Sequence, residues 1–255
     1  MLRSLVSRVR PAPLQALLVG ALRLDRKQTV ELEGIRLRVN PASVEGSAMV
    51  RGAYEPAMTS VLRQYLRVGG SFLDLGANLG YFAVLASRLV GPLGTVVAVE
   101  PQGRLQQLLL ENVQANDCWN VRLVRALVGA QSGTSRLHLA SSLNTGASSM
   151  FRSVRYWQPT EVVTCLTLEA LLDRVGLRAV DLVKIDIEGA EFDVLMAAER
   201  VLRSGVLRAI AVDVHTSILA RRGLSPRALH EHLVRCGYVQ SPSTLVYEFA
   251  VPPGA

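Results

Sequence analysis

From residue 71 onward, short apolar runs of β type alternate with longer stretches of helical periodicity. "SFLDL", "TVVAVE", "NVRLVRALVG", "TSRLHLA", "VDLVKIDI" and "LRAIAVDVH" read as strands. Between them "YFAVLASRLV", "GRLQQLLLENVQAN", "AEFDVLMAAERVLRSG" and "SPRALHEHLVRCG" read as helices. Strands that are apolar throughout must be covered on both faces, and parallel neighbours need a crossover helix between them. The alternation therefore predicts an α/β fold with a doubly wound, mostly parallel sheet. The closing hairpin "YVQSPSTLVYEFAV" supplies an antiparallel edge strand. Ahead of this region "QTVELEGIRLRVNP" alternates around Gly34 as a hairpin does, and "AYEPAMTSVLRQYLRVG" reads as a helix closed by Gly69 and Gly70. The expected division is an N-terminal helix and hairpin over 1–45, then a main domain over 46–255.

Composition removes several classes of function. Cys118, Cys165 and Cys236 are an odd set without a CxxC pair, which argues against a disulfide framework or zinc knuckle and for a reducing cytoplasm. The formal charge is +7, yet just Lys27 and Lys184 among the 28 basic residues are lysines. No aromatic-interleaved basic stripe accompanies the arginines, so no nucleic-acid partner is expected. Residues 1–24 carry Arg3, Arg8, Arg10 and Arg23 without an acid. The apolar run from Leu14 to Leu22 falls short of the roughly 20 residues that span a bilayer. An amphipathic helix packed on the domain is the simpler reading; weak peripheral contact with an anionic membrane through the arginines and a secretory signal are the others.

In a doubly wound sheet, ligands sit beyond the carboxyl ends of the strands, where the strand order reverses. "FLDLGANLG" ends the first strand of the series with such a loop, and Gly76 and Gly80 are expected to turn it and admit a ligand. Glu100 closes the next strand, where a carboxylate can accept both hydroxyl protons of a ribose. A nicotinamide dinucleotide would prefer G-x-G-x-x-G; here Ala77-Asn78 replace the middle glycine. Asp74 ahead of the loop suits a cationic amino group better than phosphates. S-adenosylmethionine meets these conditions, with an oxidoreductase or a non-catalytic S-adenosylmethionine-binding protein as rivals.

"KIDIEGAE" at 184–191, with "FLDLGANLGYF", "VVAVEP", "NTGASS" and "GAYEP", resembles the FkbM-type methyltransferase family. The resemblance covers about residues 50–240. It implies a class I, S-adenosylmethionine-dependent enzyme with a seven-stranded sheet whose last strand is reversed. It also implies O-methylation of a small molecule or glycan, with an amine or protein lysine as the alternative acceptor. By the same resemblance Asp74, Gly76, Asn78, Gly80 and Glu100 bind the cofactor, alongside Ala77, Tyr81, Pro101 and Ala126. Tyr54 and Glu55 wall its methionine end. Where members often carry an acidic "LDD", this chain has "LTLEALLD", with Glu169 as counterpart.

Methyl transfer to an alcohol needs alignment and a route for the hydroxyl proton. The strand ends offer Asp186, Glu188, Asp213 and His215, with Lys184 on the same strand face as Asp186. Asp186 and His215 are the candidate bases, and Lys184 and Glu188 complete the catalytic set. Glu191 reads as a helix-start acid. Asp186, Asp213 and His215 are types that ligate a divalent ion, but the sequence assigns no metal. His230 and His232 lie on different helix faces. The loop "LNTGASSM" is expected to cover the acceptor.

Overall fold

The computed structural model describes residues 18, 19, 21, 22, 26–151, 159–241 and 246–250. The predicted helix over 1–24 therefore lies almost wholly outside the described residues, as does part of the loop after residue 151. A hairpin, β1 (Gln28–Leu32) and β2 (Ile35–Val39), is followed by α1 (Val44–Val50) and α2 (Pro56–Tyr65). Then come β3 (Ser71–Leu75), α3 (Tyr81–Val90), β4 (Thr95–Val99), α4 (Gly103–Gln114) and β5 (Val121–Val124). β6 (Leu127–Val128), β7 (Gly133–His138) and β8 (Thr160–Leu166) precede α5 (Leu168–Val175) and β9 (Leu182–Ile185). α6 (Glu191–Ala197), α7 (Glu199–Arg203), β10 (Ala209–Val212), α8 (Thr216–Arg221), α9 (Pro226–Arg235), β11 (Tyr238–Gln240) and β12 (Val246–Phe249) complete the order.

The main sheet has seven strands in the order β11-β12-β10-β9-β3-β4-β5. β3 pairs in parallel with both β4 and β9, so the order reverses there and opens the crevice expected of a doubly wound sheet. The reversed strand is β12, antiparallel to β10 and β11; it lies one place in from the edge, and β11 forms the edge itself. β6, β7 and β8 form a separate three-stranded sheet that the sequence did not distinguish from the main one. One long helix was expected over 190–205, but Ala198 leaves helical geometry (φ −93°, ψ 21°) and divides it into α6 and α7.

Strand alternation sorts the core. Phe72, Val96, Ala98 and Leu182 face one layer, which holds α3, α4 and the hairpin residues Ile35, Leu37 and Val39. Leu73, Leu75, Val97, Val183 and Ile185 face the other, with α5, α6 and α9. The hairpin is tied to the loop after β3 by fully buried Asn112: it accepts from the Arg38 amide at 2.7 Å and donates to the Leu79 carbonyl at 2.8 Å. The three cysteines are buried free thiols. Among the described residues no helix is long and apolar enough to cross a membrane.

Candidate active site

The carboxyl ends of β3, β4 and β9 open into a cleft of about 820 Å³, its mouth included. Glu100, buried, follows β4 on its wall. Its two oxygens each accept one backbone amide, from Gln102 at 2.9 Å and from Asn78 at 3.0 Å. Burial outweighs those hydrogen bonds and lifts its pKa from the ordinary 4.5 to about 7. A carboxylate holds about four acceptor sites, so Glu100 keeps capacity for ligand hydroxyls.

The loop after β3 is held by contacts within the protein. The amides of Gly76 and Ala77 both donate to the Val99 carbonyl at 3.0 Å. Gly76 has φ 86°, and a Cβ there would lie 1.9 Å from the Asp186 carbonyl oxygen. Gly80 (φ 89°) faces Leu109 of α4, 2.4 Å from where its Cβ would stand. Gly76 lines the cleft and also lets β3 approach the end of β9; Gly80, which does not line it, lets α3 approach α4. Asn78, at φ 49°, takes the left-handed turn between them.

Asp74 faces the neighbouring strand β9. It is wholly buried beside Lys184, its register partner on β9, with 3.4 Å between charges. The ammonium it faces is thus the protein's own, and Asp74 does not line the cleft. Lys184, 1% exposed, also lies 3.4 Å from Asp186 Oδ2 and 5.4 Å from the Phe82 ring centroid. Burial works against its charge, but Asp74, Asp186 and Glu55 prevail and hold its pKa well above the usual lysine range.

Beyond β9 and β10 stands an acid–imidazole cluster. The Asp186 amide bonds to the Leu75 carbonyl and the Asp213 amide to the Ile185 carbonyl, which extends the parallel pairing into the site. His215 Nδ1 meets Glu191 Oε1 at 2.9 Å; Nε2 lies 3.4 Å from Glu188 Oε2 and 3.9 Å from Asp186 Oδ1. Contact with Glu188 and then Glu191 pushes the histidine pKa up to about 11. Burial raises the Glu188 and Asp213 carboxyls, and neighbouring Asp186 raises Asp213 further. Glu191, fully buried, also accepts the amides of Ile187 and Gly189 at 3.1 Å. It does occupy the helix start, as read from sequence. Its grip on His215 was missed, because only the pairing of β9 with β10 brings the two together.

The loop from Leu143 to Met150 covers the cleft and is fastened on three sides. The Gly146 amide donates to Glu45 at 2.7 Å, Gln102 Nε2 donates to the Thr145 carbonyl at 3.1 Å, and Ser149 Oγ donates to the Glu188 carbonyl at 2.6 Å. Of the expected site residues, Tyr54, Gly76, Ala77, Asn78, Tyr81, Glu100, Pro101, Ala126, Lys184, Asp186 and Glu188 line the cleft. Glu55, Asp74 and Gly80 do not, and His215 stands just behind Glu188. Glu169 is on α5, paired with Arg200 at the surface and remote from the cleft. His230 lies against Tyr247, while buried His232 bonds to the Leu195 carbonyl, so the two histidines do face apart.

The family model for the methyltransferase FkbM domain matches residues 74–239, most of the chain. This chain belongs to the FkbM methyltransferase family. Its domain is therefore of the S-adenosylmethionine-dependent class I kind, in keeping with the sheet order. Among solved structures it is similar to an FkbM methyltransferase from Methylobacillus flagellatus (13% identity, TM-score 0.46, covering 83% of this chain and 62% of that one). TYW2 of M. jannaschii in complex with AdoMet is also similar (13%, TM-score 0.43, 87% and 82%). So is a SAM-dependent methyltransferase from Aquifex aeolicus (22%, TM-score 0.25, 28% and 47%). The chain thus spans less than two thirds of the first and third of these. No curated protein matches the sequence.

The residues of this FkbM domain fit the cofactor's chemistry. Glu100 offers spare acceptor capacity to vicinal hydroxyls, Ala126, Leu127 and Val128 give an apolar wall, and Asp186 stands at the far end of the cleft.

Proposed function

We propose that this FkbM protein O-methylates a hydroxyl of a small molecule or glycan in the cytoplasm. The observation that carries the reading is the placement of Asp186 and Glu188 in the cleft itself, beyond the end of β9 and across β3 from Glu100. When bound, S-adenosylmethionine supplies an electrophilic methyl group for in-line displacement. The chain's own part is to hold the two reactants aligned and to help remove the hydroxyl proton. Asp186 and Glu188 line the cleft while His215 stands behind Glu188, so these two carboxylates are the groups placed to help draw that proton away. Glu100 holds the ribose end, and the Leu143–Met150 loop shields the site from water. The three buried thiols support a reducing compartment.

The test is transfer of labelled methyl groups to a panel of polyols, sugars and amines by the full chain. Asp186→Asn should lower kcat by roughly 10²–10⁴ with nearly unchanged cofactor affinity. Labelling of amines but never of hydroxyls, or wild-type turnover in Asp186→Asn, would refute the reading.

A further inference from the structure

Three side chains with metal-ligating atoms meet where the cleft opens beyond β9 and β10. One ligand atom from each of Asp186, Glu188 and His215 can be chosen so that all lie within 4.8 Å of one another. From His215 Nε2 the gaps are 3.4 Å to Glu188 and 3.9 Å to Asp186, long for direct hydrogen bonds. An ion with ligands at about 2.1 Å sets neighbouring ligand atoms roughly 3–4 Å apart, a spacing that both gaps from His215 match.

A second observation lies behind the imidazole. Glu191, wholly buried, takes Nδ1 at 2.9 Å, and its other oxygen, Oε2, has no hydrogen-bond partner. A carboxylate on the far ring nitrogen fixes the ring and leaves Nε2 for a ligand, which is how metal-bound histidines are supported. Asp186 divides its oxygens, with Oδ2 toward Lys184 and Oδ1 toward His215. Glu188 is held at φ 54°, a left-handed conformation that a glutamate adopts rarely and that recurs at functional sites.

We propose that Asp186, Glu188 and His215 bind one divalent cation, with Glu191 as the residue that positions His215. One imidazole with two carboxylates favours manganese, iron or zinc over magnesium or calcium. The ion replaces the proton on Nε2, which leaves to solvent. Its bearing on the acceptor rests on the methyl-transfer reading above: the ion would hold the hydroxyl oxygen, acidify it, and favour acceptors with two adjacent oxygens. The ion site itself does not depend on that reading.

Mn²⁺ titrated into the full chain without acceptor, followed by electron paramagnetic resonance and calorimetry, tests it. One ion per chain is expected. His215→Ala and Asp186→Asn should weaken binding at least about 100-fold, and Glu191→Gln, which leaves every ligand in place, about tenfold. Circular dichroism melts show that the variants are folded. Failure of the folded wild type to bind Mn²⁺ or Zn²⁺ at millimolar concentration would overturn the proposal, as would equal affinity in His215→Ala. Ion binding as expected, with no methyl transfer to any hydroxyl, would uphold the site and sink the acceptor reading alone.

Discussion

Glu100 joins burial to ligand chemistry in one side chain. Its carboxyl is raised from 4.5 to about 7, so the folded chain keeps a proton that the unfolded chain releases above 4.5. The stability linked to this group is complete below pH 4.5 and is lost as pH rises to about 7, a decline of about 3 kcal/mol. Urea unfolding at pH 5 and pH 8 should show that decline in the wild type and a correspondingly smaller one in Glu100→Gln. Ribose hydroxyls donate to the ionised form, so cofactor binding should tighten from pH 6 to 8 and release up to one proton. Calorimetry in buffers of different ionisation enthalpy measures that proton. Glu100→Ala should lose about 1–3 kcal/mol of cofactor affinity. The Asp74–Lys184 pair has a different consequence. Removal of the lysine alone strands a buried carboxylate, so Lys184→Ala should cost about 3–5 kcal/mol in urea unfolding. The double change Asp74→Leu, Lys184→Met should recover much of it. A double variant no more stable than the single one would show that the pair is not what holds these strand centres.

At the scale of elements, the loop after β3 is where sequence and structure part company. Its position, its turn and its partner Glu100 were all legible, because a strand end, a glycine spacing and an acid at the next strand end are local signals. What the glycines accommodate was not legible: the Asp186 carbonyl and Leu109 come from distant segments that reach the loop only through strand pairing and helix packing. The two glycines should therefore differ on mutation. Gly76→Ala sets a methyl group against rigid backbone and should cost several kcal/mol, roughly 1 kcal/mol of it from the positive φ alone. Gly80→Ala meets the flexible tip of Leu109 and should cost about 1–2 kcal/mol. Thermal melts of the two variants make the comparison, and equal losses would count against the β3–β9 contact as the cause. The same reasoning covers the rest. Alternating strands and helices announced the doubly wound sheet. The small sheet of β6, β7 and β8 stayed hidden, since β8 lies in a stretch of mixed polarity and pairs across a long connection. Glu191 looked like a helix-start acid because its other partner, His215, follows a different strand.

For the whole molecule, the charge pattern makes the remaining forecast. Val19 is buried against Leu143, so the end of the N-terminal segment touches the loop that covers the cleft. The arginines of residues 1–24 precede it without a balancing acid. If they meet an anionic surface, the full chain should sediment with phosphatidylserine vesicles at low salt and release near physiological salt, while a chain lacking residues 1–24 stays in solution. Equal partitioning of both would dismiss membrane contact. The way the site draws on the fold also governs how the protein is made. Glu100, Asp186 and His215 follow three strands separated by long crossovers, and neighbouring parallel strands pair only after those crossovers have closed. A nascent chain therefore has no complete cleft until β9 has emerged and docked beside β3, and no His215 cluster until β10 follows. Ligand added during refolding should leave the early rate unchanged and act by slowing unfolding, because it recognises only the finished sheet.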